Sequence, residues 1–146
     1  MHGIAAILAA GPVAAAPPPP VALLTGVKAE PSRVVFTFRT APKLVTGAYV
    51  AKSKVVESGS GRRVPLAGTA ALVLRFMPAA GADLSGPTLK ITYKGPKRLR
   101  PAGRGPVRDV ARTSDYESEL GWAVGLDRKH PFRIVRSGPN VVVTFS

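Results

Sequence analysis

The sequence predicts an all-β, single-domain β-sandwich of about eight short strands, preceded by an unpacked Ala/Pro-rich N-terminal leader. Three observations predict it. Apolar and polar residues alternate with a period of two, Gly or Pro interrupts nearly every gap between such stretches, and every charged residue lies from Lys28 onward. The 146 residues are enough for one sizeable core. Regularly spaced short strands with turn residues between them are typical of a sandwich or small barrel.

The alternation assigns individual strands. In Arg33–Arg39, large apolar residues alternate with polar ones, and in Thr88–Tyr93 the same pattern sets Leu89 and Ile91 on one face of a half-buried strand. Ser58–Gly61 is predicted to be a turn. The eight predicted strands are Arg33–Arg39, Ala48–Glu57, Ala70–Phe76, Thr88–Tyr93, Val107–Arg112, Glu119–Val124, Phe132–Arg136 and Val141–Phe145.

The leader is predicted to be a signal peptide. A short apolar run, Ile4–Ala10, precedes small residues at Val13–Ala16 and then the prolines Pro17–Pro20. This pattern is typical of an exported protein with a stiff spacer after the cleavage site, although no Lys or Arg precedes the apolar run. We therefore expect residues 1–27 to be the leader and residues 28–146 the domain, in a secreted or envelope protein. The alternative is a flexible tail on a cytoplasmic protein.

Composition excludes several functional classes. The chain has no cysteine, which excludes disulfides, Cys-ligated metal and thiol catalysis, and its two histidines argue against a His-based metal site. No apolar run reaches the roughly 18 residues that a membrane-spanning helix needs. Asp115, Glu117 and Glu119 have the spacing of one strand face, but we interpret them as surface partners of Arg112 and Arg128. We expect no enzyme activity, no metal and no cofactor.

The charge is strongly positive and unevenly distributed. The net charge is +13, and eight cations but a single anion, Asp109, lie between Lys90 and Arg112. A cationic Pro/Gly loop attracts polyanions through counterion release; the alternative is a solvated basic surface without a ligand. We predict a polyanion- or glycan-binding site at Tyr93, Lys94, Lys97, Arg98, Arg100 and Arg104, with Tyr93 packing on a sugar face.

Nucleic acid is the weaker candidate for the polyanion. Modules that bind it usually combine basic residues with exposed aromatic residues, whereas most of the few aromatic residues here lie on apolar strand faces. No zinc finger, helix-turn-helix or aromatic RNA-binding motif is present.

A series of short motifs, in order, resembles the AMIN-like domain of exported actinobacterial proteins and lipoproteins. The motifs are Arg33–Phe38, Ser58–Gly68, Tyr93–Leu99, Val107–Val110, Asp115–Asp127, Pro131–Ile134 and Asn140–Val143. The resemblance implies a non-catalytic β-sandwich related to the AMIN domain, which in amidases and secretion proteins binds the cell wall. It implies no particular ligand residues. The sequence departs from lipoprotein members in having no Cys after the leader, which favours a secreted form.

We therefore expect an exported, non-catalytic module that binds cell-wall polymer, meaning peptidoglycan or another anionic envelope glycan, through its basic loop. Two alternatives remain open. One is a cytoplasmic nucleic-acid-binding module, and the other is an envelope scaffold that docks another envelope protein through an exposed strand edge.

Overall fold

The strands of this chain form two packed sheets and one short ribbon. The computed structural model describes residues 20–146. The strands are β1 (Ala22–Ala29), β2 (Arg33–Phe38), β3 (Leu44–Val50), β4 (Ala70–Met77), β5 (Ala79–Ala80), β6 (Ala82–Asp83), β7 (Lys90–Ile91), β8 (Arg98–Leu99), β9 (Val107–Tyr116), β10 (Glu119–Leu126), β11 (Phe132–Ser137) and β12 (Asn140–Phe145). A three-residue 3₁₀ helix, Lys52–Lys54, is the only helix in this part of the chain, and no helix here could span a membrane.

Pairing is almost entirely antiparallel. The first sheet has the order β11-β12-β2-β1-β5, and the second sheet has the order β3-β4-β10-β9-β8. Only β1 and β5 run parallel among the paired strands of residues 20–146. Strands β6 and β7 form a separate two-stranded ribbon. Because directly paired residues share a face, the register decides which side chains enter the core.

The core lies between the two sheets. Phe36 and Phe38 of the first sheet meet Phe76 and Trp122 of the second, with ring centroids 4.8, 5.5 and 5.9 Å apart in three pairs. All four side chains are at most 2% exposed. Tilted and edge-on aromatic pairs add to the stabilisation that apolar burial provides. The period-two alternation of the sequence thus gives each sheet one apolar inner face.

A second layer covers the outer face of the second sheet. We call residues 51–69 the covering segment. Its Val55 and Leu66 pack on alanines of β4, β9 and β10. A Cβ atom at Gly125 of β10 would lie only 2.2 Å from the carbonyl oxygen of Ala67. The small residues of this outer face therefore allow the covering segment to lie directly on the sheet.

The prediction of an all-β sandwich is confirmed. Eight strands of residues 20–146 have six residues or more. Six of the predicted strands correspond to β2, β4, β9, β10, β11 and β12, with ends that differ by a few residues.

Two predicted strands differ from the structure. Instead of the strand Ala48–Glu57, β3 ends at Val50, because the chain then leaves the sheet so that Val55 can enter the outer apolar cluster. Instead of the strand Thr88–Tyr93, only Lys90–Ile91 is extended and paired. Leu89 and Ile91 there face solvent, so their alternation does not report a buried face.

The predicted division between leader and domain falls inside a strand. Residues 22–27 belong to β1, and Ala22 and Leu24 are buried in the core. Residues 22–27 are uncharged like the leader, but an uncharged segment is equally suited to a buried strand. The folded part therefore begins at least six residues before residue 28. The predicted signal peptide, and the spacer up to residue 19, lie outside the described residues.

Candidate polyanion-binding loop and adjoining groove

The basic loop, residues 93–104, is fixed at its start by Tyr93. The ring is 7% exposed and makes an edge-on contact with Trp122, with 5.6 Å between centroids. Its hydroxyl donates a hydrogen bond of 2.5 Å to the carbonyl oxygen of Pro96, and burial raises its pKa. The prediction that Tyr93 packs on a sugar face is therefore contradicted. A large amphipathic ring next to a Pro/Gly turn is buried here because its hydroxyl finds a backbone partner.

Arg98 fixes the loop at a second point. Its guanidinium donates hydrogen bonds to Asp109 Oδ2 and, over 2.6 Å, to the carbonyl oxygen of Pro65. Asp109 is fully buried, and the same oxygen accepts a hydrogen bond of 3.0 Å from the backbone N–H of Ala67. Arg100 Nη2 lies 3.6 Å from it. Arg98 and, in part, Arg100 therefore neutralise a buried carboxylate that joins the loop, β9 and the covering segment.

Three of the predicted cations remain available to a ligand. Lys94, Lys97 and Arg104 are exposed, and none of them forms an ion pair within residues 20–146. Exposed cations without carboxylate partners keep their full field and attract polyanions over a distance of about one Debye length, ~10 Å at moderate salt. Of the six predicted residues, Tyr93 and Arg98 thus fix the loop, Arg100 is exposed beside the buried carboxylate, and the other three are exposed without an ion pair in the described part of the chain.

The carboxylates singled out in the sequence are engaged with cations or lie in a turn. Asp115 Oδ2 accepts a hydrogen bond of 3.1 Å from the backbone N–H of Gly81 and lies 3.8 Å from Arg112 Nη1. Glu119 pairs with Arg75 at 2.6 Å. Glu117 occupies the β9–β10 turn with a positive φ of 51°. Asp115 and Glu119 therefore balance nearby guanidinium groups, whereas Glu117 and Arg128 form no ion pair within the described part of the chain.

Next to Lys97, a groove crosses the outer face of the second sheet. It consists of two depressions of about 220 and 260 Å³ that share Ser58, Thr113 and Ser114. The covering segment forms one wall, and β3, β4, β10 and β9 form the floor. At Gly121 in the floor, a Cβ atom would lie 2.7 Å from Thr113 Oγ1, so the close approach of the Thr113 side chain depends on glycine. We call these two depressions together the outer groove.

The outer groove is nearly balanced in charge, unlike the molecule as a whole. Its charged lining residues are Lys54, Arg75 and Glu119 in the first depression and Glu57, Lys97, Arg112 and Asp115 in the second. Hydrogen bonding from Ser60, helped by Arg62 and the nearby charge of Lys97, lowers the pKa of Glu57. Tyr116 is exposed at one end of the groove. The groove therefore combines an apolar floor with hydrogen-bond donors and acceptors.

Sequence reasoning missed this groove because its two walls are far apart in the chain. Residues 54–59 and residues 112–116 meet through one backbone contact, in which the N–H of Ser58 donates to the carbonyl oxygen of Thr113 over 3.0 Å. The Gly-rich turn at residues 58–61 and the lone Gly121 are the only local signals. Neither signal indicates which distant segment forms the other side of the groove.

A buried histidine, His130, lies in the connection between β10 and β11. His130 Nε2 is 2.6 Å from Asp127 Oδ1, and its Nδ1 is 3.0 Å from the carbonyl oxygen of Ser146. Its backbone N–H donates a hydrogen bond of 2.9 Å to the hydroxyl of Tyr49. This arrangement links β3, the β10–β11 connection and the end of β12. Among residues 20–146, no three His, Asp or Glu side chains converge as a metal site would require.

Comparisons with known proteins give one match. The family described as AMIN-like domain matches residues 20–144, nearly the whole chain. The match begins at the residue where the described structure begins and includes β1. No curated protein and no solved structure matches the chain.

Proposed function

Because the chain belongs to the AMIN-like domain family, we propose that it is an exported module that binds an anionic polymer of the cell envelope. The family is one of envelope-associated binding domains rather than enzymes. The polymer is peptidoglycan or an anionic glycan attached to it. The module binds it without chemical change.

One observation carries this proposal: Lys94, Lys97 and Arg104 are exposed and form no ion pair within residues 20–146, on a loop that Tyr93 and Arg98 hold in place. A fixed loop loses little conformational entropy when a ligand binds, so its cations act as a preformed anion-binding surface. Each contact with a phosphate or carboxylate group of the polymer releases counterions, which makes the affinity depend on salt.

The outer groove supplies a second contact for the same polymer. Lys97 belongs to the loop and also lines the groove, so a chain whose anionic group contacts Lys97 can lay its neighbouring unit there. The balanced charge of the groove suits a sugar ring with an apolar face and polar substituents. The loop provides electrostatic attraction, and the groove provides selection by shape.

Co-sedimentation of the full chain with purified cell-wall sacculi tests the proposal. Binding should weaken steeply as salt rises and should resist competition by duplex DNA. The variant Lys94→Ala/Lys97→Ala/Arg104→Ala should bind more weakly, and its logarithmic salt slope should fall by about 2–3, because each polyanion contact contributes somewhat less than one to the slope.

A matched variant separates the loop from net charge. Lys43→Ala/Arg128→Ala/Arg133→Ala removes the same number of exposed cations that lack ion pairs within residues 20–146, at sites outside the loop and the groove. It should retain most of the binding. Equal losses in the two variants would mean that the polymer senses only the net charge. Failure to sediment at low salt would refute polymer binding, and displacement by DNA would favour a nucleic-acid ligand.

A further inference from the structure

The ribbon of β6 and β7 carries an exposed apolar tip. Leu84, Leu89 and Ile91 are 69%, 60% and 57% exposed. The other large apolar residues that are exposed in residues 20–146 are spread along the chain, at Val21, Leu44, Val56, Tyr116 and Val135. Single exposed apolar residues are ordinary, but three within eight residues form a patch whose exposure to water is unfavourable.

The pairing register collects these side chains on one face of the ribbon. Ala82 pairs with Ile91, and Asp83 pairs with Lys90. Continuation of this register places Leu84 opposite Leu89. Because side chains alternate across a strand, the apolar side chains share one face and the charged pair lies on the other. The ribbon is therefore amphipathic, although no other part of residues 20–146 covers its apolar side chains.

The base of the ribbon is fixed to the sandwich. The backbone N–H groups of Thr92 and Tyr93 donate to the carbonyl oxygen of Gly81 over 2.9 and 3.0 Å. The hydroxyl of Thr92 donates over 2.8 Å to the carbonyl oxygen of Leu24 in β1. Tyr93 itself is buried in the core. The tip therefore projects from a rigid support.

The surroundings of the apolar face are positively charged. Lys90, Lys94 and Lys97 lie on and just beyond the ribbon, and Asp83 is the only carboxylate between residues 82 and 97. Hydrogen bonds from the side chain and backbone of Ser85 lower the pKa of Asp83, with further help from nearby cations. An apolar tip flanked by cations is complementary to a surface that is anionic outside and apolar inside.

We propose that the ribbon tip inserts into the surface of an anionic lipid bilayer. The side chains of Leu84, Leu89 and Ile91 enter the boundary between headgroups and acyl chains, while the lysines contact anionic headgroups. The tip presents exposed aliphatic side chains together with lysines that form no ion pair within residues 20–146, and a bilayer satisfies both without a shaped pocket. The three apolar side chains lie outside the proposed polymer site, with which the tip shares only Lys94 and Lys97, and they add a second attachment within the envelope.

The test uses the full chain with vesicles of phosphatidylcholine and phosphatidylglycerol in equal amounts, and with vesicles of phosphatidylcholine alone. We expect binding to the anionic vesicles at physiological salt. The variant Leu84→Ser/Leu89→Ser/Ile91→Ser should bind at least about 100-fold more weakly, because burial of each large aliphatic side chain contributes a factor of about ten or more. Leu44→Ser, an exposed apolar residue at another site, should bind like the parent.

A spectroscopic variant measures insertion directly. Trp122 is fully buried, so its emission should not respond to vesicles, whereas Leu89→Trp should shift to shorter wavelength when the anionic vesicles are added. This measurement holds even if the triple serine variant fails to fold. The proposal would be overturned if the Trp emission did not shift. It would also be overturned if the serine variant still bound the vesicles and salt abolished that binding, because binding would then be purely electrostatic. Absence of vesicle binding would also overturn it and leave a protein partner for the ribbon, without affecting the sacculus experiment.

Discussion

Arg98 has a structural role in the basic loop that its exposed lysines do not share. Replacing Arg98 with alanine removes the guanidinium that donates hydrogen bonds to Asp109 and to the carbonyl oxygen of Pro65. The carboxylate of Asp109 is fully buried, so its charge depends on the neighbouring guanidinium groups for compensation. Arg98→Ala should therefore destabilise the fold, whereas removal of an exposed loop lysine should not.

The size of the effect follows from the burial of the two partners. Removing one member of a buried ion pair costs about 3–5 kcal/mol, because the remaining charge is left uncompensated. The Arg98 side chain is 36% exposed, so solvent already screens part of the interaction. Arg100 lies 3.6 Å from the same oxygen and can partly replace it. We expect the free energy of unfolding to fall by about 2–3 kcal/mol.

Urea unfolding measures this loss, with fluorescence from Trp122, the only tryptophan, as the signal. A slope of about 1–3 kcal/mol per molar urea converts the loss into a midpoint shift of about 1–2 M. Lys97→Ala, the neighbouring exposed position, is the control and should change the free energy of unfolding by less than about 0.5 kcal/mol. It should instead weaken binding to sacculi.

A double-mutant cycle with Asp109→Asn isolates the pair itself. In the Arg98→Ala background, Asp109→Asn removes the uncompensated charge and should recover part of the lost stability. Equal midpoints for Arg98→Ala and Lys97→Ala would refute the reasoning, because the buried carboxylate would then not depend on Arg98.

Three further predictions concern the sandwich itself. A chain that begins at residue 28 lacks most of β1 and should lose the cooperative urea transition that a chain beginning at residue 20 retains. The hydrogen bond from His130 lowers the pKa of Asp127 in the folded state. The stability that this carboxylate contributes is therefore present above its unfolded pKa and is lost as pH falls through its folded pKa, so Asp127→Asn should flatten the acid side of a plot of Tm against pH. A Cβ atom at Gly125 would lie 2.2 Å from the carbonyl oxygen of Ala67, so Gly125→Ala should lower the free energy of unfolding by about 1–3 kcal/mol in the same urea assay. Gly26→Ala is the control and should leave this free energy nearly unchanged, because the atom nearest to a Cβ at Gly26 is 3.9 Å away.

The predictability of each strand depended on what covers it. Residues 33–38 alternate because one face meets the core and the other meets solvent, so their pattern predicts β2 correctly. In residues 88–93 the same alternation is present, yet Leu89 and Ile91 are exposed. Hydrophobic periodicity reports that one face is apolar, and it does not report whether that face is covered.

The candidate site shows the same limit. The density of cations in residues 93–104 predicts a basic loop, but it does not predict which cations face solvent. Adjacent residues in an extended segment point in opposite directions, so Lys97 and Arg98 can have different surroundings. Arg98 turns toward the buried Asp109, while Lys97 faces solvent and lines the outer groove. Tyr93 is likewise assigned to the core by its contact with Trp122, a residue distant in the chain.

The sequence by itself determined the all-β class, most of the longer strands, the strong positive charge and the family resemblance, because these depend on local periodicity, composition and motif order. The tertiary structure alone decided which cations are bound to a buried carboxylate, that residues 22–27 form a strand, and that a groove and an exposed apolar ribbon exist. These features depend on which segments of the folded chain contact one another and which faces those contacts leave exposed. No local sequence pattern shows which residue will pair with a buried charge or whether another segment will cover an apolar face.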